Sequence, residues 1–166
     1  MNESPASWAG NAAIHYVPDE MTSNRERLMG RNVASEGFMR AFIRYADVKT
    51  FFCYADTPKA AQLFAGSVRR ARGQKDVRWV APDRPAILGE AGCLFTPDPG
   101  IARQAWRRRW GDDQRAFSLC GLTHTTASHT AMDALTTLLT APVQSWDALI
   151  CTSSSVHAMV TTLLEG

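Results

Sequence analysis

Residues 50–73 read TFFCYADTPKAAQLFAGSVRRARG, and this stretch decides the fold. Its first six residues, Thr50, Phe51, Phe52, Cys53, Tyr54 and Ala55, are almost wholly apolar and rich in aromatic rings. A strand with one wet face alternates apolar and polar residues, so an unbroken apolar run predicts a strand covered on both faces, as in a parallel sheet. Asp56 or Thr57 then offers a side-chain oxygen to cap a helix, and Pro58 suits the first turn, where its missing N–H is not needed. Ala61, Phe64, Ala65 and Val68 follow at helical spacing until Gly73 ends the helix. Strand, tight turn and amphipathic helix in that order form the repeating unit of an α/β fold.

The alternation extends in both directions. Upstream, residues 12–17 (AAIHYV) form a short apolar run stopped by Pro18, and a long polar loop runs from Asp19 to about Asn32. From Val33 the period changes, and Ala34, Phe38, Ala41, Phe42 and Tyr45 mark one helical face. Downstream, residues 77–80 and 92–96 predict two strands, the second closed by Pro97-Asp98-Pro99. A helix over residues 100–110, a strand over 117–122 and a helix carrying Ala131, Ala134, Leu135, Leu138 and Leu139 come next. Residues 147–152 form the last strand, and Ser153 or Ser154 caps a helix that buries Val156, Met159, Val160, Leu163 and Leu164. No hairpin signal separates neighbouring strands. The expectation is a single Rossmann-like α/β domain spanning residues 1–166, with a parallel sheet, right-handed crossovers and helices on both faces. Residues 1–11 read as a flexible start, and no repeat or linker divides the chain.

The chain has 166 residues, 45% of them hydrophobic and 20% charged, which suffices for a packed core without disulfides or metals. Cys53, Cys93, Cys120 and Cys151 are far apart, mostly in apolar runs, and no CxxC or Cys/His ligand spacing occurs. They read as small core hydrophobes in a reducing cytoplasm, with no metal site. Residues 1–10 lack the basic start and apolar run of a signal peptide, and no apolar stretch approaches the roughly 20 residues of a transmembrane helix. Two basic clusters, Arg69, Arg70, Arg72 and Arg107, Arg108, Arg109, fall at helix ends, where cations complement the macrodipole and stay solvated. A nucleic-acid or anionic-membrane patch is disfavoured: charges elsewhere are mixed, and no aromatic residues interleave the clusters in a strand-binding pattern.

Ligands of such sheets bind beyond the carboxyl ends of the strands, where strand order reverses, so three loops claim attention. The first contains Gly30 and Arg31, where a glycine lets backbone approach a ligand or simply turns the chain. GxGxxG and the P-loop Gly-Lys-Ser/Thr are both absent. The second is Gly121-Leu122-Thr123-His124-Thr125-Thr126, leaving the fifth strand. An imidazole there can donate to a sugar hydroxyl or stabilise phosphate charge; equally, it can bond backbone and tie down the turn. The third, Cys151-Thr152-Ser153-Ser154-Ser155, is explained by helix capping. His129 reads as exposed, His15 as a satisfied core residue and His157 as lying near a helix surface. No Gly-x-Ser-x-Gly elbow surrounds any serine, which disfavours α/β-hydrolase chemistry.

The run from Phe117 to Thr125, followed by a helix and then Trp146-Asp147-Ala148-Leu149-Ile150-Cys151-Thr152-Ser153, resembles the amino-terminal domain of GT-B glycosyltransferases, especially the retaining family-four group. That resemblance implies transfer of a sugar from a nucleotide-sugar donor to an acceptor small molecule or glycan, with retention. It places His124 in the interdomain cleft as the catalytic residue and Thr123 and Thr125 beside it, with Gly30 and Arg31 towards the donor phosphates and the acceptor. Many members have two adjacent glycines at that loop, where this chain has Gly30 followed by Arg31. Nucleotide in the family is bound mostly by a second Rossmann-like domain with a Glu-x7-Glu motif, and no two glutamates here have that spacing. The chain accordingly reads as a truncated half, nearly inactive alone, that needs a second Rossmann-like domain or chain but no cofactor, metal or nucleic acid. The competing expectation is a non-catalytic α/β binding or scaffold module.

Overall fold

The computed structural model describes residues 10–18, 30–111, 113–124, 126 and 128–165. The sheet strands are β1 (Ala13–His15), β2 (Thr50–Tyr54), β3 (Asp76–Val80), β4 (Cys93–Phe95), β5 (Ser118–Thr123) and β6 (Ala148–Cys151). They lie in the order β3-β2-β1-β4-β5-β6, with every pairing parallel. The helices are α1 (Gly30–Tyr45), α2 (Pro58–Arg72), α3 (Leu88–Ala91), α4 (Ala102–Trp110), α5 (His129–Thr136) and α6 (Ser154–Glu165). The fold is thus the Rossmann-like α/β layer that the alternation predicts, and strand order reverses between β1 and β4.

Side chains alternate across each strand, so the sheet divides the core in two. On one face Ile14, Phe51, Cys53, Phe95 and Leu122 pack with Met39 and Ile43 of α1 and Phe64 and Val68 of α2. On the other, Ala13, Phe52, Tyr54, Leu94 and Leu119 pack with residues of α3, α4, α5 and α6, among them Leu88, Ala105, Leu135 and Val160. Right-handed crossovers put helices on opposite faces once the chain reverses its direction of travel across the sheet. Phe51 and Phe64 are wholly buried, and each contributes about 1.5–3 kcal/mol by leaving water.

The local signals around β2 act as read. Thr57 Oγ1 accepts from Ala60 N–H at 3.2 Å, Pro58 opens α2, and Gly73, at φ 67°, donates its N–H to the Arg69 carbonyl at 3.0 Å. That left-handed conformation favours glycine. Ser153 Oγ likewise accepts from Val156 N–H at the start of α6.

Three features differ from the sequence reading. Helix α1 includes Gly30, Arg31 and Asn32, so these residues are helical where a loop was expected. Residues 85–91 form a 3₁₀ turn and the four-residue α3, too short to show helical periodicity. Above all, Arg108 is not a solvated helix end, for only 2% of it is exposed. Its Nη1 and Nη2 donate to the two carboxylate oxygens of Asp147 at 2.7 and 2.6 Å, and Nη1 also donates to the Phe117 carbonyl at 2.9 Å. Asp147 further accepts from Leu119 N–H and Gln144 N–H, each at 2.8 Å. This bidentate network ties the end of α4 to the entrances of β5 and β6.

All four cysteines are free thiols, and burial pushes the Cys53 thiol up to about 12. No helix among the described residues is long and apolar enough to cross a membrane.

Candidate functional site

The carboxyl ends of β1, β4 and β5 meet where the strand order reverses, the position at which open α/β sheets hold ligands. His124 follows β5, an inner strand, and is half-buried. Its Nε2 lies 3.3 Å from Oγ of Ser35, a residue of α1 that is 4% exposed. The Pro97 backbone beyond β4 also acts on the ring. Burial lowers its pKa, and the Pro97 backbone and the Asp98 charge offset this only in part. The imidazole is therefore neutral at pH 7, able to donate through one nitrogen and accept through the other.

Thr123, the residue before it, is fully buried, and its Oγ1 has no hydrogen-bond partner among the described residues. Leu122 belongs to the core under α1 and α2, so alternation turns Thr123 towards the opposite face. The side chains of Thr123 and His124 are thus divided between the two faces. Gly30 and Arg31 stand in the first described turn of α1, ahead of Ser35. Thr125 lies outside the described residues. His129 is fully exposed, with its Nδ1 4.0 Å from the Asp133 carboxylate.

Three groups at this edge escaped the sequence reading. His15, at the end of β1, is not a satisfied core residue: its Nδ1 is buried without a partner among the described residues, and its ring stands edge-on to that of Tyr54 at 5.2 Å. Burial lowers its pKa, Asp98 and Asp56 oppose that, and Arg107 and Arg103 reinforce it. Ser35 gave no signal because its partner is 89 residues away. Asp98 is the third, and its charge reaches both His15 and His124. Its carbonyl accepts from Thr96 Oγ1 and Leu122 N–H, and its carboxylate accepts from Gly100 N–H at 2.6 Å. Gly121 lets this loop close on the sheet, since a Cβ there would stand 3.0 Å from the Asp98 carbonyl oxygen and 2.8 Å from Ile101 Cγ2.

The carboxyl edge at the switch point therefore carries His124 with the Ser35 hydroxyl on one face of the sheet and His15 on the other, with the Asp98 charge reaching both imidazoles. No cluster of three or more His, Cys, Asp or Glu side chains suited to a metal occurs among the described residues. A groove of about 820 Å³ between α1 and α2, lined by Glu36, Arg40, Arg44, Tyr45, Ser67 and Arg70, is roomy but lies on the outer side of those helices and contains no histidine. Volume alone does not pick the site; position on the sheet does. Compared with known proteins, the chain matches no family model, no curated protein and no solved structure.

Proposed function

We propose that the chain is the acceptor-side domain of a glycosyltransferase, which moves a sugar from a nucleotide-sugar donor to an acceptor small molecule or glycan with retention of configuration. His124 carries this reading: it stands at the tip of an inner strand at the switch point, half-buried and kept neutral. A neutral imidazole both gives and takes a hydrogen bond, which suits a sugar hydroxyl. It lacks the charge that a phosphate would call for. In this reading Ser35 orients the ring, and Gly30 and Arg31 serve the donor phosphates, an arginine being able to bind phosphate bidentately. Turnover requires a second Rossmann-like domain closing over the donor, with the four free cysteines suited to a reducing cytoplasm.

One observation favours a second reading, a non-catalytic binding or scaffold module. The hydrogen-bond partner of the His124 ring, Ser35, belongs to the protein itself, as in a ring that ties a turn to a helix. Calorimetric titration with UDP- and GDP-sugars, on the native chain and on His124→Ala, separates the two. Loss of the ring's contact to the sugar should weaken binding about tenfold, the effect of about 1.4 kcal/mol. Sugar-nucleotide binding that ignores the substitution, together with a lowered melting temperature, assigns His124 to structure and ends the transferase reading.

A further inference from the structure

Helix α4 reads ARQAWRRRW from Ala102 to Trp110. Its residues 103, 106, 107 and 110 stand at i, i+3, i+4 and i+7, which is one stripe along the helix. The register thus lines up Trp106 and Trp110 with Arg103 and Arg107, so aromatic rings do interleave cations on this helix, contrary to the sequence expectation. The other side of the helix is committed to the core through Ala102, Ala105 and Arg108. On the stripe Trp106 is 38% and Trp110 78% exposed, and their ring centroids lie 6.2 Å apart with planes inclined by 36°. Large aromatic surface left in water beside charge that has no ion pair among the described residues marks a binding surface more often than a packing defect. The two indoles and the side chains of Arg103 and Arg107 line a groove of about 590 Å³.

One end of the stripe meets the carboxyl edge of the sheet. Arg107 donates to the Tyr54 hydroxyl, and the charges of Arg103 and Arg107 both reach His15, whose Nδ1 is buried and has no partner among the described residues. The other end, at Trp110, faces solvent. A ligand that fits this layout has a flat aromatic part for the indoles and an anionic part for the guanidiniums.

We propose that the stripe is a nucleotide subsite, in which Trp106 and Trp110 stack a nucleobase while Arg103 and Arg107 hold the phosphates of a nucleoside diphosphate at the carboxyl edge. Base–aromatic stacking is tolerant of base identity, and a guanidinium matches the phosphate fork. The groove has the volume of a small-molecule site. Asp56 and Asp98 also act on His15, so the edge carries carboxylates as well as guanidiniums, and binding rests on direct Arg–phosphate contact rather than on a positive field. The transferase reading puts the donor phosphates at Gly30 and Arg31 on the other face of the sheet, so this subsite is a separate nucleotide contact that rests on the exposed indoles and the guanidiniums alone. Its residues sit on the face of the sheet opposite Ser35, so either proposal can fail alone.

Binding of UDP tests it, because UDP carries no sugar and does not probe His124. The native chain should bind UDP with quenching of tryptophan fluorescence, and Trp110→Leu should weaken that binding at least tenfold without moving the melting temperature. Arg103→Gln should weaken UDP several-fold and leave uridine unaffected, and GDP should behave as UDP does. Failure of UDP to bind at millimolar concentration, or binding indifferent to both substitutions, overturns the proposal. So does a twelve-nucleotide single strand that binds a hundredfold more tightly than UDP through the same residues, since the stripe would then be a strand surface.

Discussion

The two ends of the sheet are built on opposite rules. At the amino end, Arg108 and Asp147 are almost wholly withdrawn from water, yet two Nη donors, two carboxylate oxygens, two backbone amides and the Phe117 carbonyl satisfy one another. At the carboxyl end, the buried polar atoms His15 Nδ1 and Thr123 Oγ1 have no partner among the described residues, and two histidines are held away from their charged forms. Native proteins rarely leave buried polar atoms unpaired, and the exceptions gather where a ligand completes the set. The closed end holds strands and helices together; the incomplete end is where chemistry can enter.

The contrast can be broken most severely at the closed end. Asp147→Ala leaves the Arg108 guanidinium buried without its counter-charge and should cost about 3–5 kcal/mol in urea unfolding. A loss below about 1 kcal/mol would mean that the network does not hold that end. Gly121→Ala comes next, because its Cβ would press on the Asp98 carbonyl oxygen and on Ile101. It should cost about 1–3 kcal/mol and displace the loop between the histidines, visible as altered His124 ring shifts in NMR spectra.

Acid sharpens the contrast from the other side. His15 and His124 bind a proton less readily folded than unfolded, so protonation favours the unfolded chain. Their contribution to stability is full above the unfolded value of 6.5 and is lost as pH falls through the lowered folded values. The urea midpoint should drop on acidification below pH 6.5, and the drop should shrink in His15→Gln; an unchanged acid limb would contradict the burial of that ring. The smallest expected effect is at Thr123, whose hydroxyl has no partner among the described residues. Thr123→Val should be neutral or raise the melting temperature slightly, since only the desolvation of an unpaired group is removed.

Much of this architecture was legible because it rests on neighbours in the chain. The unbroken apolar run of β2, the Thr57 cap, Pro58 and Gly73 are local devices, and each acts as its chemistry predicts. What could not be read depends on distance. Arg108 looks like any solvated cation until folding brings Asp147, 39 residues away, against it. Ser35 acquires meaning only beside His124, and His15 only when burial strands its Nδ1. The Trp–Arg stripe on α4 follows from the helical period alone, which sets Arg103, Trp106, Arg107 and Trp110 on one face of the helix. His124 was found because it follows an apolar strand; its neutral state required the surrounding structure.

The central claim is that ligand enters at the carboxyl edge and not at the amino edge. Titrating the ¹⁵N-labelled chain with UDP-glucose and following backbone amide shifts tests this directly. The shifts should concentrate at His15, residues 96–100, Thr123 and His124, with α4 responding through Arg103 and Arg107. Perturbations confined to residues 113–117 and 142–147, around the Arg108–Asp147 pair, would contradict the account.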